Sequence, residues 1–393
     1  MPWRSRIARI ARCSAHADSE GGAVRILHLM SCRGWSSDAY WAARACRELE
    51  RRGHAVTLGC KRGTDARVID RARAEGVTHI ERFELAGGMR PALDGADLRR
   101  LARALRDVDV VHVHRGKEHW LAVVAGYLTG GHRPPVVRTR HIAQAVRPHA
   151  GNRWLYGRAT ALVVTVSEAI RRQYLASGLV TPERIVALPG GADAETYRPQ
   201  PADTTVRKRL GANGEPLVGL VSGLRVMKGH HVVVDAVGRL VSRGVAMRGV
   251  FVGRGSHESA VMAAISRAGL ERHMTIAGFA PDLPAVMAAL DIALYVPLES
   301  DGMSRVLFEY LAAGRPVIAA RTGVVPEVVA DGVHALLVPA GDAGALADAL
   351  ARLVGDAELR ARLGRAARAV ALDRYSGARL AEALEAHYAR LVA

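Results

Sequence analysis

Apolar residues fall into two recurring patterns along the chain. Short β-branched runs such as VRILHLM, HAVTLGC, VDVVHVH, PVVRTRH and ALVVTV predict strands, and the longer stretches between them, YWAARACRELERRG for one, carry apolar positions at helical spacing. Strands apolar on both faces and separated by helices belong to a parallel sheet covered on both sides. The rhythm starts afresh after residue 215 with PLVGLVS, MRGVFVG, HMTIAGF, DIALYVP, PVIAA and HALLVP. Residues 189–205, PGGADAETYRPQPADTT, lie between the two series and read as a linker. The pattern predicts an α/β chain of two doubly wound, Rossmann-like domains facing a cleft, with ligands at the carboxyl ends of the strands. At 393 residues the chain is long enough for two cores.

The stretch SDGMSRVLFEYLAAGRPVIAA, residues 300–320, predicts a helix that buries Val306, Leu307, Tyr310 and Leu311 and ends at Gly314 and Pro316. Asp301 stands at its mouth and Glu309 two turns inside. Eight residues of helix rise about 12 Å, so the two carboxylates suit opposite ends of one elongated ligand. The free N–H groups of the helix N-terminus lie between them as an anion seat. An acid, a phosphate seat and a second acid in line match a nucleotide-sugar. Glu299 also precedes the helix, so the first position is open to Glu299 or Asp301.

Other candidates stand where strands give way to loops. SGLRVMKGHH offers Arg225 and Lys228 for two phosphates, the arginine by its fork and the lysine as a point charge. His141 closes the strand VVRTRH, where a neutral imidazole can orient a sugar hydroxyl. His112 and His114 of VHVH read first as core or surface residues. Gly34 of SCRGWSSD, a loop without the G-x-G-x-x-G of a dinucleotide site, lets backbone approach a ligand. Gly253 and Gly255 mark a tight turn, Ser167 an N-cap, and Glu327 of GVVPE a strand end beside the nucleotide pocket.

Taken in order from about Val24, the motifs RGHAVTL, VVRTRH, VVTVSEAI, LPGGAD, LRVMKGH, DGMSRVLFEYLAAGRPVIA and GVVPEVVADG resemble those of the retaining glycosyltransferases of family 4, also called glycosyl transferases group 1. The resemblance implies the GT-B fold, with an acceptor-side domain over residues 24–197 and a nucleotide-sugar-binding domain over 198–372. A C-terminal helix in 373–393 would return to the first domain. Asp301, with the Gly302, Met303 and Ser304 amides, would face the donor sugar and diphosphate, Glu309 the ribose hydroxyls, and His141 the sugar near its reacting carbon. The family's acid-x7-acid motif is usually two glutamates, where this chain has Asp301 and Glu309. The implied reaction is a metal-independent, retaining transfer from a nucleotide-sugar to a cell-surface glycan or glycolipid of lipopolysaccharide or exopolysaccharide type. The nucleotide-sugar is a substrate and no cofactor is expected.

Charge adds a partner to this picture. Residues 1–200 hold 33 basic against 19 acidic residues and the remainder 22 against 19, so the first half is the part expected to meet an anion. Helices carrying Arg44–Arg52, Arg71 and Arg73, and Arg99–Arg106 suggest an outward basic face for an anionic membrane surface. A compositional excess of solvated arginine is the plain alternative. No apolar run reaches the 18 or so residues of a membrane span. Residues 1–23 read as a loose basic leader without the apolar core of a secretory signal. Cys13, Cys32, Cys46 and Cys60 form no metal or disulfide pattern, which suits a reduced, cytoplasmic chain, peripheral at the inner face of the plasma membrane. Two other readings stand: a nucleotide-sugar epimerase of the same fold, and a basic nucleic-acid-binding protein. Nucleic acid is not expected as a partner, given 5% aromatic residues and no reading motif.

Overall fold

The structure, a computed structural model, describes residues 22–32, 34–64, 66–300 and 305–393. The chain forms two compact units. The first runs to Gly190 and is completed by Gly377–Ala393, and the second is Gly191–Ser376.

The first unit has a parallel sheet in the order β3-β2-β1-β4-β5-β6-β7. Its strands are β1 (Arg25–Met30), β2 (Ala55–Lys61), β3 (Ile80–Phe83), β4 (Val110–Val113), β5 (Val136–Arg140), β6 (Leu162–Thr165) and β7 (Ile185–Ala187). The second unit repeats the plan in the order β10-β9-β8-β11-β12-β13. Here the strands are β8 (Leu217–Val221), β9 (Arg248–Val252), β10 (Met274–Gly278), β11 (Ile292–Tyr295), β12 (Val317–Ala320) and β13 (Leu336–Val338). Every strand pair in both sheets is parallel. Strand order reverses between β1 and β4 in one sheet and between β8 and β11 in the other, which opens a crevice at the carboxyl ends of those strands.

Central strands were legible because they are buried on both faces: β4, β6, β8, β11 and β12 are buried at every position. β3 and β7 lie at sheet edges, are partly exposed, and so lack a continuous apolar run. The helices that bear on function are α1 (Ser37–Arg51), α2 (Gly116–Gly126), α3 (His230–Ser242), α4 (Arg305–Ala312), α5 (Ala357–Arg374) and α6 (Gly377–Val392). Ser167 caps the helix Glu168–Ala176, its side chain accepting from the Ile170 N–H at 3.3 Å. The core of the second unit collects Val218, Leu220, Phe251, Leu294, Leu346 and Leu350.

Residues 189–205 are more ordered than a linker reading implies. Ala192 N–H donates to Tyr375 O at 2.9 Å, and a Cβ on Gly191 would come within 2.5 Å of the same carbonyl. Arg368 of α5 donates to the Ala194 and Tyr197 carbonyls at 3.0 and 2.9 Å. Among the arginines of 44–52, Arg44 is buried and pairs with Glu75 at 2.6 Å, whereas Arg51 and Arg52 are exposed, Arg52 pairing with Glu385. Arg71, Arg73, Arg99, Arg103 and Arg106 are exposed.

α6 buries Leu380, Ala381, Leu384 and Tyr388 at helical spacing against α1 and β4. Leu384→Ala should destabilise the first unit by about 2–5 kcal/mol through the cavity it opens. Urea denaturation of the full chain checks this, and an unchanged midpoint would mean that α6 is not part of that core.

Candidate functional site

In the second unit the loops after β8, β9, β11 and β12 are locked together by backbone. After β8 the chain passes Arg225, makes a short 3-10 turn over Val226–Lys228, and enters α3 through Gly229. Gly229 has φ +74°, and a Cβ there would lie 2.1 Å from Val296 O just beyond β11. One residue pair away, Leu298 N–H donates to Met227 O at 2.9 Å. Gly253, with φ +147°, and Gly255 press the loop after β9 onto the Ser222 and Leu224 carbonyls, at 1.9 and 2.1 Å from a would-be Cβ. Gly323 sets the loop after β12 against Ser300, 2.8 Å from its Oγ. These approaches require glycine, so the turn of Gly253 and Gly255 that the sequence marked is sterically specified.

Within that frame Lys228 is buried, Arg225 exposed and Glu299 exposed. α4 crosses behind them. Its Tyr310 hydroxyl accepts from the Val221 N–H, at the end of β8, at 2.7 Å. Burial, with the Glu309 charge adding to it, raises the Tyr310 phenol well above its usual value and keeps it neutral. Glu309 is buried, and its Oε1 accepts from Arg305 Nε at 2.6 Å. Arg305 was missed in the sequence, where the arginine four residues before the glutamate was the available signal. Glu327 is half-buried in the short helix Val325–Val328 after β12, and its carbonyl accepts from Tyr375 Oη at 3.3 Å. Asp301, Gly302, Met303 and Ser304 lie outside the described residues. The structure thus brings the loop of Arg225 and Lys228 against the start of the acidic stretch, and the β12 loop against Ser300.

In the first unit His141 follows β5, and Gly34 lies in the loop after β1. Gly34 is exposed and a Cβ there would meet nothing within 4 Å, so the fold itself does not demand glycine at that position. His141 Nε2 lies 3.1 Å from His114 Nδ1, and the two rings stack with centroids 5.4 Å apart. His28 and His112 continue the stack inward, and Trp41 of α1 presents its edge to His112, His114 and His141. Burial drives His141 to about 3, with Arg138, Arg115 and Arg140 adding to the fall against the pull of Asp38. The imidazole is therefore neutral at any working pH. Its Nδ1 is buried without a partner among the described residues.

Two groups that the sequence did not single out shape this end of the sheet. Glu118 of α2 is fully buried, and its Oε1 accepts from the Ser31 and His114 N–H groups at 3.4 and 3.3 Å, joining the loops after β1 and β4. Asp38, in the first turn of α1, accepts from Arg115 Nε at 3.0 Å. Both acids sit a few residues into a helix after a strand, a position that periodicity alone marks as surface.

Two family models match the chain: Glycosyltransferase Family 4 over residues 39–196, and Glycosyl transferases group 1 over residues 202–370. A D-inositol 3-phosphate glycosyltransferase of Nocardia farcinica is 32% identical over 320 residues, covering 74% of this chain and 68% of that protein. A GDP-mannose-dependent alpha-(1-6)-phosphatidylinositol monomannoside mannosyltransferase of Mycolicibacterium smegmatis is 30% identical over 282 residues, covering 68% and 70%. The structure of a glycosyltransferase from Rickettsia africae has a TM-score of 0.82 at 18% identity, covering 94% of this chain and 99% of that one, a likeness of fold.

The glycine contacts generate a paired test. Gly229→Ala should cost about 1–3 kcal/mol, because it forces a side chain into a left-handed backbone against a carbonyl. Gly34→Ala should stay within about 0.5 kcal/mol of the parent. Urea denaturation of both variants checks this, and equal midpoints would refute the packing described at Gly229.

Proposed function

The chain belongs to glycosyltransferase family 4, and from that premise we propose that it moves a sugar, with retention of configuration, from a nucleotide-sugar to a phosphate-bearing polyol or glycolipid of the cell surface. It is a glycosyltransferase of GT-B fold that uses a nucleotide-sugar donor. The finer reading draws on the relatives: both act by name on inositol phosphates, one free and one lipid-linked, and one of them takes GDP-mannose. They favour a phosphorylated acceptor over the lipopolysaccharide or exopolysaccharide class expected from the motifs.

The observation that carries the donor reading is the loop that holds Lys228 at the reversal of strand order, locked by backbone against the segment after β11. A diphosphate seated there meets a lysine held in a low-dielectric setting, with Arg225 beside it, and the leaving charge is neutralised by protein cations. Glu309 takes the ribose hydroxyls, with Arg305 paired to its carboxylate. Glu327 lines the nucleoside side, and Asp301, with the amides of Gly302, Met303 and Ser304, faces the sugar and diphosphate. The departing diphosphate then assists deprotonation of the acceptor hydroxyl on the same face, while His141 orients a sugar hydroxyl. Gly34 belongs to the strand-end loops of the first unit.

Lys228→Ala should lower kcat/KM for the donor tenfold or more, since a charge-assisted contact contributes about 1.5–3 kcal/mol. Glu309→Gln should raise the donor KM, and Asp301→Asn should depress kcat more than KM. Activity should survive EDTA. Initial rates with GDP- and UDP-sugars and an inositol phosphate acceptor read all four. Wild-type kinetics for Lys228→Ala, or donor turnover without acceptor, would overturn the transferase site as drawn.

The same reading places the acceptor at an anionic membrane, and one face of the first unit fits that partner. Trp120 and Tyr127 of α2 and its C-terminal turn stack on Trp154 at 5.9 and 6.2 Å, and Val124, Leu128 and Ile142 are exposed. The Arg133 guanidinium lies 3.6 Å over the Tyr127 ring. Residues 119–167 hold six arginines and no Asp or Glu, and Arg133, Arg147, Arg153 and Arg158 are exposed. Amphipathic rings with basic neighbours suit the headgroup layer of an anionic bilayer. No helix among the described residues is long and apolar enough to cross a membrane, so such binding is peripheral. The protein should sediment with phosphatidylglycerol vesicles at low salt and leave them at high salt. The double variant Trp120→Ala, Trp154→Ala should bind at least tenfold more weakly. Equal binding by that variant, or equal binding of the parent to neutral vesicles, would remove this face as the lipid surface.

A further inference from the structure

Residues of β5 face opposite sides of the sheet in turn. Thr139 points at the histidine stack, its Oγ1 2.5 Å from His112 Nε2, so Arg138 and Arg140 leave the other side together. Around them stand His119 of α2, Tyr156 of the turn Leu155–Ala159 and Tyr174 of the helix Glu168–Ala176. The Tyr156 ring lies 5.0 Å from that of His119 and 5.5 Å from that of Tyr174, and the Arg140 guanidinium lies 5.5 Å from the centre of the Tyr174 ring. Arg138 lies against the Tyr156 hydroxyl. Arg138, His119 and Tyr174 are no more than 2% exposed.

This cluster holds more positive charge than it pairs. A guanidinium stays protonated in a protein, buried or not. Neither Arg138 nor Arg140 makes an ion pair among the described residues, and residues 119–167 contain no Asp or Glu. The two arginines repel each other. Glu118 attracts Arg138 without pairing to it, and its Oε1 is committed to the Ser31 and His114 N–H groups. Burial pushes His119 well below its ordinary value, so that ring is neutral.

The donors of the cluster are unsatisfied to match. Arg138 Nε and Nη1, Arg140 Nε and the Tyr174 hydroxyl are buried without a hydrogen-bond partner among the described residues. Two acceptors are in the same position, Glu118 Oε2 and His119 Nδ1. His119 Nδ1 is an acceptor because Thr160 Oγ1 gives its hydrogen to Leu155 O at 2.6 Å and so receives that of His119 Nε2 at 2.8 Å. Water can bridge donors to acceptors, but it brings no charge. Two positive charges against one negative leave an excess of one, and an unpaired buried charge is costly.

We infer that the cluster binds one small monovalent anion, chloride in ordinary buffers, with Arg138 Nε and Nη1, Arg140 Nε and the Tyr174 hydroxyl as its donors. An anion only accepts hydrogen bonds, so it satisfies these donors and offsets the excess charge together. The burial of Arg138 and Tyr174 selects an ion that sheds its water readily, which favours a halide over phosphate or sulfate. Arg138 is the third of the five residues of β5, short of the strand end where sugar transfer is placed. The ion is therefore a resident part of the first unit and not a substrate.

The test titrates the full-length protein, exchanged into sodium gluconate, with sodium bromide at constant ionic strength and pH, and follows thermal unfolding. Tm should rise by about 4 °C or more and level off as the site fills. In gluconate Arg138→Met should unfold at or above the parent's Tm, because it removes an unpaired buried charge, and bromide should not raise it further. Crystals of the parent soaked in bromide should show an anomalous peak within hydrogen-bond distance of Arg138 and Tyr174. Should Arg138→Met fail to fold, Tyr174→Phe removes one donor alone and should need at least threefold more bromide for half of the shift. A flat Tm in the parent, an equal rise in folded Arg138→Met, an unchanged half-point in Tyr174→Phe, or water where the anomalous peak is expected would each overturn the anion site.

Discussion

Where a doubly wound sheet reverses its strand order, the last backbone N–H groups of the central strands run beyond the ladder while still buried. Each needs an acceptor, because an unpaired buried N–H costs about 1–3 kcal/mol. Both units meet this demand with one side chain from a helix that crosses the reversal. In the first it is the Glu118 carboxylate, accepting from Ser31 and sharing the His114 N–H with the Leu29 carbonyl, and in the second it is the Tyr310 hydroxyl, accepting from Val221. The loops that leave those strands start from fixed points, and the functional side chains sit a few residues further on.

Glycine then decides how closely neighbouring loops approach. In the second unit Gly229, Gly253 and Gly255 let the loops of three strands meet backbone to backbone, nearer than any side chain allows. The result is a rigid rim in which Lys228 is buried without being remote from the strand ends. A cation so placed acts strongly on a phosphate because little water screens it. Arg225, on the same loop but exposed, is screened and has more freedom.

The first unit works through burial. Four imidazoles in contact can be accommodated only as neutral rings, and their mutual hydrogen bonds make burial tolerable. Trp41 seals the stack on one side and Tyr388 closes it from the C-terminal helix. The C-terminal helix is thereby built into the interior of the first unit, and the stack that His141 joins is closed by a residue far from it in sequence.

The sequence by itself determined the elements and their class. Doubly buried strands announce themselves as continuous apolar runs, and Leu307, Tyr310 and Leu311 of α4 are buried as their helical period predicts, whereas Val306 is only half-buried and Phe308 and Glu309 are buried as well. The family was legible because its motifs are short and lie at strand ends, and so was the capping role of Ser167. Strands β3 and β7 escaped because an edge strand need bury only part of its surface. What only the tertiary structure decided were the pairings across long separations: Glu118 with two distant backbone amides, Gly229 with the Val296 carbonyl, Arg44 turned inward to Glu75, and Tyr388 brought to the histidine stack. Periodicity reports whether a residue is buried, but not which partner meets it there. In parallel sheets neighbouring strands are brought together by crossovers of dozens of residues, so that partner is fixed by the winding of the chain.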